Sequence, residues 1–143
     1  MPIYIGSNQL VKRYVGAQEV LRSYVGSRLV WGLPSYPLTG TWAGGAVPSG
    51  NTIYGTHTIT QAGTFTITWS ADFTTVTSGS LPGAKFRVNG TGLWTSGQYL
   101  SSPGNSTANG TRALAAGDVV NFHIETEAAG VVASGGTWTI TKN

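Results

Sequence analysis

From about residue 51 onward, apolar and polar positions alternate with a period of two. Phe65, Ile67 and Trp69 fall on one side of a pleated strand, and Thr64, Thr66 and Thr68 on the other. The same alternation separates Ala84, Phe86 and Val88 from Lys85 and Arg87. It separates Val120, Phe122 and Ile124 from Asn121, His123 and Glu125, and Trp138 and Ile140 from Thr137, Thr139 and Thr141. Turn-forming clusters punctuate these runs: Gln61-Ala62-Gly63, Leu81-Pro82-Gly83, Asn89-Gly90, Ser102-Pro103-Gly104-Asn105, Ala116-Gly117-Asp118 and Gly135-Gly136. The pattern predicts strands near 56–60, 64–70, 73–77, 84–88, 92–95, 111–114, 119–126 and 137–141. That is enough for two sheets, and no segment shows a helical period. The fold class expected is all-β, with a jelly-roll-like antiparallel β-sandwich over residues 51–143.

Ahead of the sandwich the pattern is different. Residues 3–12, 13–22 and 23–32 read IYIGSNQLVK, RYVGAQEVLR and SYVGSRLVWG, a gapless repeat of ten. Tyr4, Tyr14 and Tyr24 align, as do Ile5, Val15 and Val25, and then Leu10, Val20 and Val30. Val11, Leu21 and Trp31 form a further apolar column. Each unit is a short apolar piece, a turn opened by glycine, and a second apolar piece. Such pieces are too short to bury a core, and the whole repeat is smaller than the roughly 40 residues that a self-standing domain needs. Residues 1–32 are therefore expected to be a β-repeat arm. It would bury Tyr4, Tyr14, Tyr24, Val15, Val25, Leu10, Val20, Val30 and Trp31 against other chains; a meander folded on the chain's own sandwich is the alternative. Residues 33–50, with Pro34, Pro37 and Pro48 among several glycines, read as an extended linker.

Composition sharpens this picture. Only 9% of the 143 residues are charged and 21 are glycine, where a typical soluble domain is roughly 25% charged. The net charge is +3, and the arm holds the excess: Lys12, Arg13, Arg22 and Arg28 stand against Glu19. Four cations are too sparse for a nucleic-acid surface, so they are read as keeping an apolar repeat soluble. Cysteine is absent, which removes disulfides, thiolate metal sites and thiol catalysis. No apolar run is long enough for a membrane helix. The opening residues lack a signal-peptide pattern, so synthesis in a cytoplasm is expected.

Two resemblances add to the residue-level reading. Ala62-Gly63-Thr64-Phe65-Thr66-Ile67-Thr68, Leu114-Ala115-Ala116-Gly117-Asp118-Val119-Val120-Asn121-Phe122 and the closing Thr137-Trp138-Thr139-Ile140 resemble the trimeric jelly rolls of the tumour-necrosis-factor and complement-head type. The Tyr-Val-Gly repeat ending in Leu29-Val30-Trp31 resembles the arms of tailed-bacteriophage virion proteins, particularly minor tail and tail-tip proteins. Together they imply a trimeric structural protein of a phage particle, made in the host cytoplasm. Its arm would dock on other virion proteins and its head would meet the host surface. A capsid decoration protein or head fibre, and a carbohydrate-binding module, are the alternatives.

Candidate chemistry is sparse. His57 and His123 are far apart in sequence. His123 and Glu125 share one strand face, and a metal would need His57 or Asp72 as well. Gly-x-Ser-x-Gly and Walker patterns are absent, and Gly90-Thr91-Gly92 lacks the third glycine of a dinucleotide loop. A glycosidase pair would have to come from Asp72, Asp118, Glu125 and Glu127, and Asp118 reads as a turn residue. The expectation is no enzyme activity, no cofactor and no metal. Asn89, Asn105 and Asn109 open Asn-x-Ser/Thr triplets and read as turn residues. The segment 93–112 reads as a long surface loop in which Trp94, Tyr99 and Arg112 stand among Ser, Asn, Gln and Gly. These three are the candidate contacts to a cell-surface glycan; the alternative is a surface loop whose Trp94 and Tyr99 plug the core or a subunit seam.

Overall fold

A computed structural model describes residues 35–143 and, before them, the backbone of six short strands between Tyr4 and Gly32. The residues between those strands, and the side chains of residues 4–32 and 91–93, lie outside the described part. The chain divides into two units, Met1–Ser35 and Tyr36–Asn143.

The first unit is three hairpins, one per repeat. Strand β1 (Tyr4–Ile5) pairs with β2 (Asn8–Gln9), β3 (Arg13–Val15) with β4 (Gln18–Val20), and β5 (Arg22–Val25) with β6 (Arg28–Gly32). Ile5 stands opposite Asn8, Val15 opposite Gln18 and Val25 opposite Arg28. Two residues, the first a glycine, separate each closing pair, the spacing a two-residue hairpin connection uses. Among the expected assembly contacts, Leu10 lies outside the described residues, as do the side chains of the others.

The second unit is a sandwich of two antiparallel sheets. Its strands are β7 (Leu38–Trp42), β8 (Gly45–Val47), β9 (Gly50–Thr58), β10 (Gly63–Thr75), β11 (Gly83–Val88), β12 (Thr91–Ser96), β13 (Gly104–Leu114), β14 (Val119–Thr126) and β15 (Val131–Lys142). The first sheet runs β13-β10-β15-β7, with β8 also on β15; the second runs β12-β11-β14-β9. Counting β7 and β8 as one interrupted strand leaves eight. The first pairs with the last, the second with the seventh, the third with the sixth and the fourth with the fifth, in alternating sheets. This is the double-wound jelly roll.

Three expectations shift. Residues 38–47, inside the expected linker, are an edge strand: Gly40 faces Trp138, and Ala46 faces Val132 in the same register. An edge strand tolerates flanking prolines because one side donates to no ladder. The sandwich therefore starts at Tyr36. The predicted strands 64–70 and 73–77 are one, β10, with register shifts at Asp72–Phe73 and Phe73–Thr75. The expected loop 93–112 is mostly β12 and β13. In β13 the inward positions are Ser106, Ala108, Gly110, Arg112 and Leu114, too small or polar to show an apolar period, and only 97–103 is loop.

Alternation builds the core. Phe65, Ile67, Trp69, Ala71 and Phe73 of β10 meet Ala84, Phe86, Val120, Phe122 and Ile124 of the other sheet, all buried. Trp69 Nε1 donates to the His123 carbonyl at 2.7 Å, where a register shift interrupts the β14–β9 ladder. On one side of the sandwich Trp138 stacks on Phe122, centroids 5.0 Å apart, over Gly40 and Gly55, whose missing side chains leave room for its ring. On the other side Arg112 Nη2 donates to Thr95 Oγ1 at 2.5 Å, joining the edges of the two sheets. The hairpin β11–β12 turns at Asn89-Gly90, both at positive φ.

Candidate functional site

The two outer faces differ in chemistry. On the first sheet, Thr39, Thr139, Thr68 and Asn109 form one row across four strands, and Thr41, Thr137, Ser70 and Thr107 the next. Neighbours are hydrogen-bonded, Asn109 Nδ2 to Thr68 Oγ1 at 2.7 Å and Ser70 Oγ with Thr107 Oγ1 at 2.8 Å. The carboxylate of Asp72, at the end of this face, accepts from Asn105 Nδ2 at 2.7 Å. Hydroxyls and amides line the rest of this surface.

The second sheet's outer face concentrates ionisable and aromatic groups. The pleat that sends Phe86, Val120, Phe122 and Ile124 inward turns Lys85, Arg87, Asn121, His123 and Glu125 outward. The β11–β12 register is Phe86 opposite Thr95 and Lys85 opposite Ser96, so Trp94 also faces outward. One row across the sheet is therefore Thr56, Asn121 and Arg87, with the β11–β12 register shifting beside Arg87, and the next is Ile53, His123, Lys85 and Ser96. Lys85 Nζ lies 4.0 Å from the Trp94 ring centre and the Arg87 guanidinium carbon 4.4 Å from it, a cation–π arrangement. The His123 ring meets Trp94 edge-on at 4.6 Å. Lys85 pairs with Glu125 at 2.7 Å, and the Tyr99 hydroxyl donates to the same carboxylate. Tyr99, on the 97–103 loop, reaches this position by lying over Gly83, where a Cβ would meet its ring at 2.8 Å.

Burial on this face is unequal. His123 is 2% exposed and Lys85 4%, although both lie on the solvent side of the sheet; Ile53 is 51% exposed and Tyr99 41%. His123, on the polar side of the pleat, is thus enclosed beside Trp94 and Lys85. Burial, with the charges of Arg87 and Lys85, pushes its imidazole down to about 4. The Lys85 and Tyr99 hydrogen bonds hold the Glu125 carboxyl below its ordinary value. Both His123 ring nitrogens and Arg87 Nε are buried without a hydrogen-bond partner.

Of the three expected contact residues, Trp94 and Tyr99 come together around the Lys85–Glu125 pair, whereas Arg112 points inward into the seam between the sheets. Lys85, Arg87 and His123 join the site in its place. Their outward direction follows from the period-two pattern, but their meeting with Trp94 depends on registers between three strands. His57, Asp72 and Asp118 do not converge on them. His57 faces the interior near Trp138, ring centres 5.8 Å apart, and Asp72 lies on the first sheet. Asp118 closes a turn, accepting from Asn89 Nδ2 at 2.9 Å and Ala115 N at 2.8 Å. Among the described residues no group of three or more His, Cys, Asp or Glu is placed to hold a metal ion.

No family model matches this chain, and no curated protein matches it in sequence. Solved structures do. A chain from the structure of infectious bursal disease virus, Gx strain, covers all of this chain at 13% identity with a TM-score of 0.52, and this chain spans 42% of it. The crystal structure of murine APRIL at pH 8.5 covers 71% of this chain and 99% of its own, at 15% identity and a TM-score of 0.46. The likeness to the viral chain is one of fold.

Proposed function

We propose that this chain is a structural protein of a bacteriophage particle, a homotrimeric minor tail or tail-tip component. Its N-terminal hairpins dock on other virion proteins, and its jelly roll is displayed toward the host surface. The observation that carries this reading is the arm: three short hairpins on a repeat of ten, each too small to enclose a core, precede a complete eight-stranded jelly roll. The arm's resemblance to virion repeats and the fold shared with a chain of a virus particle support it. The reading assigns the chain no catalysis, and it accords with Asp72, Asp118 and Glu125 each accepting a hydrogen bond or ion pair within the fold.

Imaging of purified particles carrying a C-terminal label on this chain tests the reading. Label in a few copies at the tail tip is the expected result. Many copies over the capsid would replace the tail assignment with a decoration protein or head fibre. Absence from purified particles would overturn the structural role altogether and leave a free carbohydrate-binding module as the better reading.

A further inference from the structure

The outer face of the second sheet carries more positive charge than it neutralises. The Glu125 carboxylate is engaged by Lys85 at 2.7 Å and by the Tyr99 hydroxyl. Arg87 has no carboxylate partner among the described residues. Its guanidinium lies against Trp94 at 4.4 Å, and its Nε is buried with nothing to donate to. His123, 2% exposed, sits in the adjoining row with both ring nitrogens unpartnered. Native structures pair nearly all such buried groups, yet here Arg87 Nε and the single N–H of the neutral His123 ring both lack an acceptor. The neighbours that remain open, Asn121 and Thr56, are polar and bonded to each other, Thr56 Oγ1 to Asn121 Oδ1 at 3.2 Å. A planar guanidinium beside an amide suits an oxyanion, which can accept from two donors at once.

We infer that the patch formed by Arg87, Trp94 and Asn121, backed by His123, binds an anionic group, a carboxylate or phosphodiester, borne by a surface polymer. The site rests on the reading of the jelly roll as the outward-facing part of the particle. A neutral sugar would leave the Arg87 charge uncompensated, whereas an acidic one supplies the missing acceptor.

Titration of the full chain with oligogalacturonate, with polyglycerol phosphate and with uncharged dextran, followed by calorimetry at low ionic strength, tests the site. Saturable binding to at least one acidic polymer and none to dextran is expected; the acidic polymer that binds identifies the source of the anion. Arg87→Gln should weaken binding at least tenfold. Asn121→Asp, which sets a carboxylate opposite Arg87 in the β11–β14 register, should do the same by occupying the site from within, and circular dichroism should show both variants folded. Neutralising Lys12 and Arg13 in the arm should leave binding unchanged. Equal affinity of the wild type and Arg87→Gln, or binding to neither acidic polymer, would overturn the inference. A chain found on particles that binds neither polymer would sink only this site. A chain that binds through Arg87 but is absent from particles would sink only the structural reading.

Discussion

His123 shows how one residue's chemistry is set by its neighbours. Its imidazole is held neutral by burial and by the cations Arg87 and Lys85, which push its pKa down to about 4, whereas an unfolded chain titrates it near 6.5. Above that pH both states are neutral and folding carries no proton cost. As the pH falls, the unfolded chain binds the proton first, so stability is lost between about 6.5 and 4. Burial lowers His57 as well, in the same direction. Asp118 and Glu125, whose hydrogen bonds hold them below their ordinary values, extend the loss to more acidic solution. The melting temperature is expected to fall steadily from pH 7 to pH 4. His123→Gln should flatten the upper part of that fall and leave the lower part intact. A wild-type melting temperature that stays level across this range would contradict the account.

At the scale of elements, the interrupted edge strand is the feature with the largest consequence. β7 and β8 keep one register on β15 across the gap at Ala43-Gly44, and Gly44 takes a positive φ with the backbone of Ser134 against it, a position that a side chain would strain. Val47 is buried, and Trp42 lies 4.2 Å from Tyr54 between ring centres. Without this strand the Trp138 ring loses its seat on Gly40 and one edge of the sheet is bared. A chain beginning at residue 36 should therefore melt cooperatively, and one beginning at residue 51 should melt at least ~10 °C lower or aggregate. Scanning calorimetry of the two decides it, and equal melting would show the strand to be dispensable. The composition of 33–50 hides this strand, because its ladder needs a partner some hundred residues away. β13 is hidden for a related reason: its inward positions are small enough for Phe86 and Thr95 to approach Gly110.

Across the described sandwich, charge is concentrated on one face. Hydroxyls and amides cover the first sheet's outer surface, while the second sheet's holds the cation–aromatic cluster. With a chain mass of 14.9 kDa, light scattering of the full protein at micromolar concentration should give about 45 kDa, the mass of a trimer. A chain starting at residue 36 should give a single-chain mass, because the apolar columns of the arm have gone. A monomeric full-length protein would contradict assembly through the arm. The three hairpins of residues 4–32 follow a local period of ten: each pairs residues only a few positions apart.

The sequence by itself determined what depends on near neighbours. The period of two gave the inward and outward faces, the Gly- and Asn-rich turns separated most of the strands, and the absence of cysteine and the scarcity of charge bounded the chemistry. Tertiary structure decided what depends on register between distant strands. It drew 38–47 into the sandwich and turned Arg112 into the seam. It also carried Lys85, Arg87, Trp94, His123 and Glu125 from three strands into one cluster. A pleat is a property of consecutive residues, so it is written locally. Which residues then stand side by side is chosen by the packing of the whole sheet, so no single stretch of the chain records it.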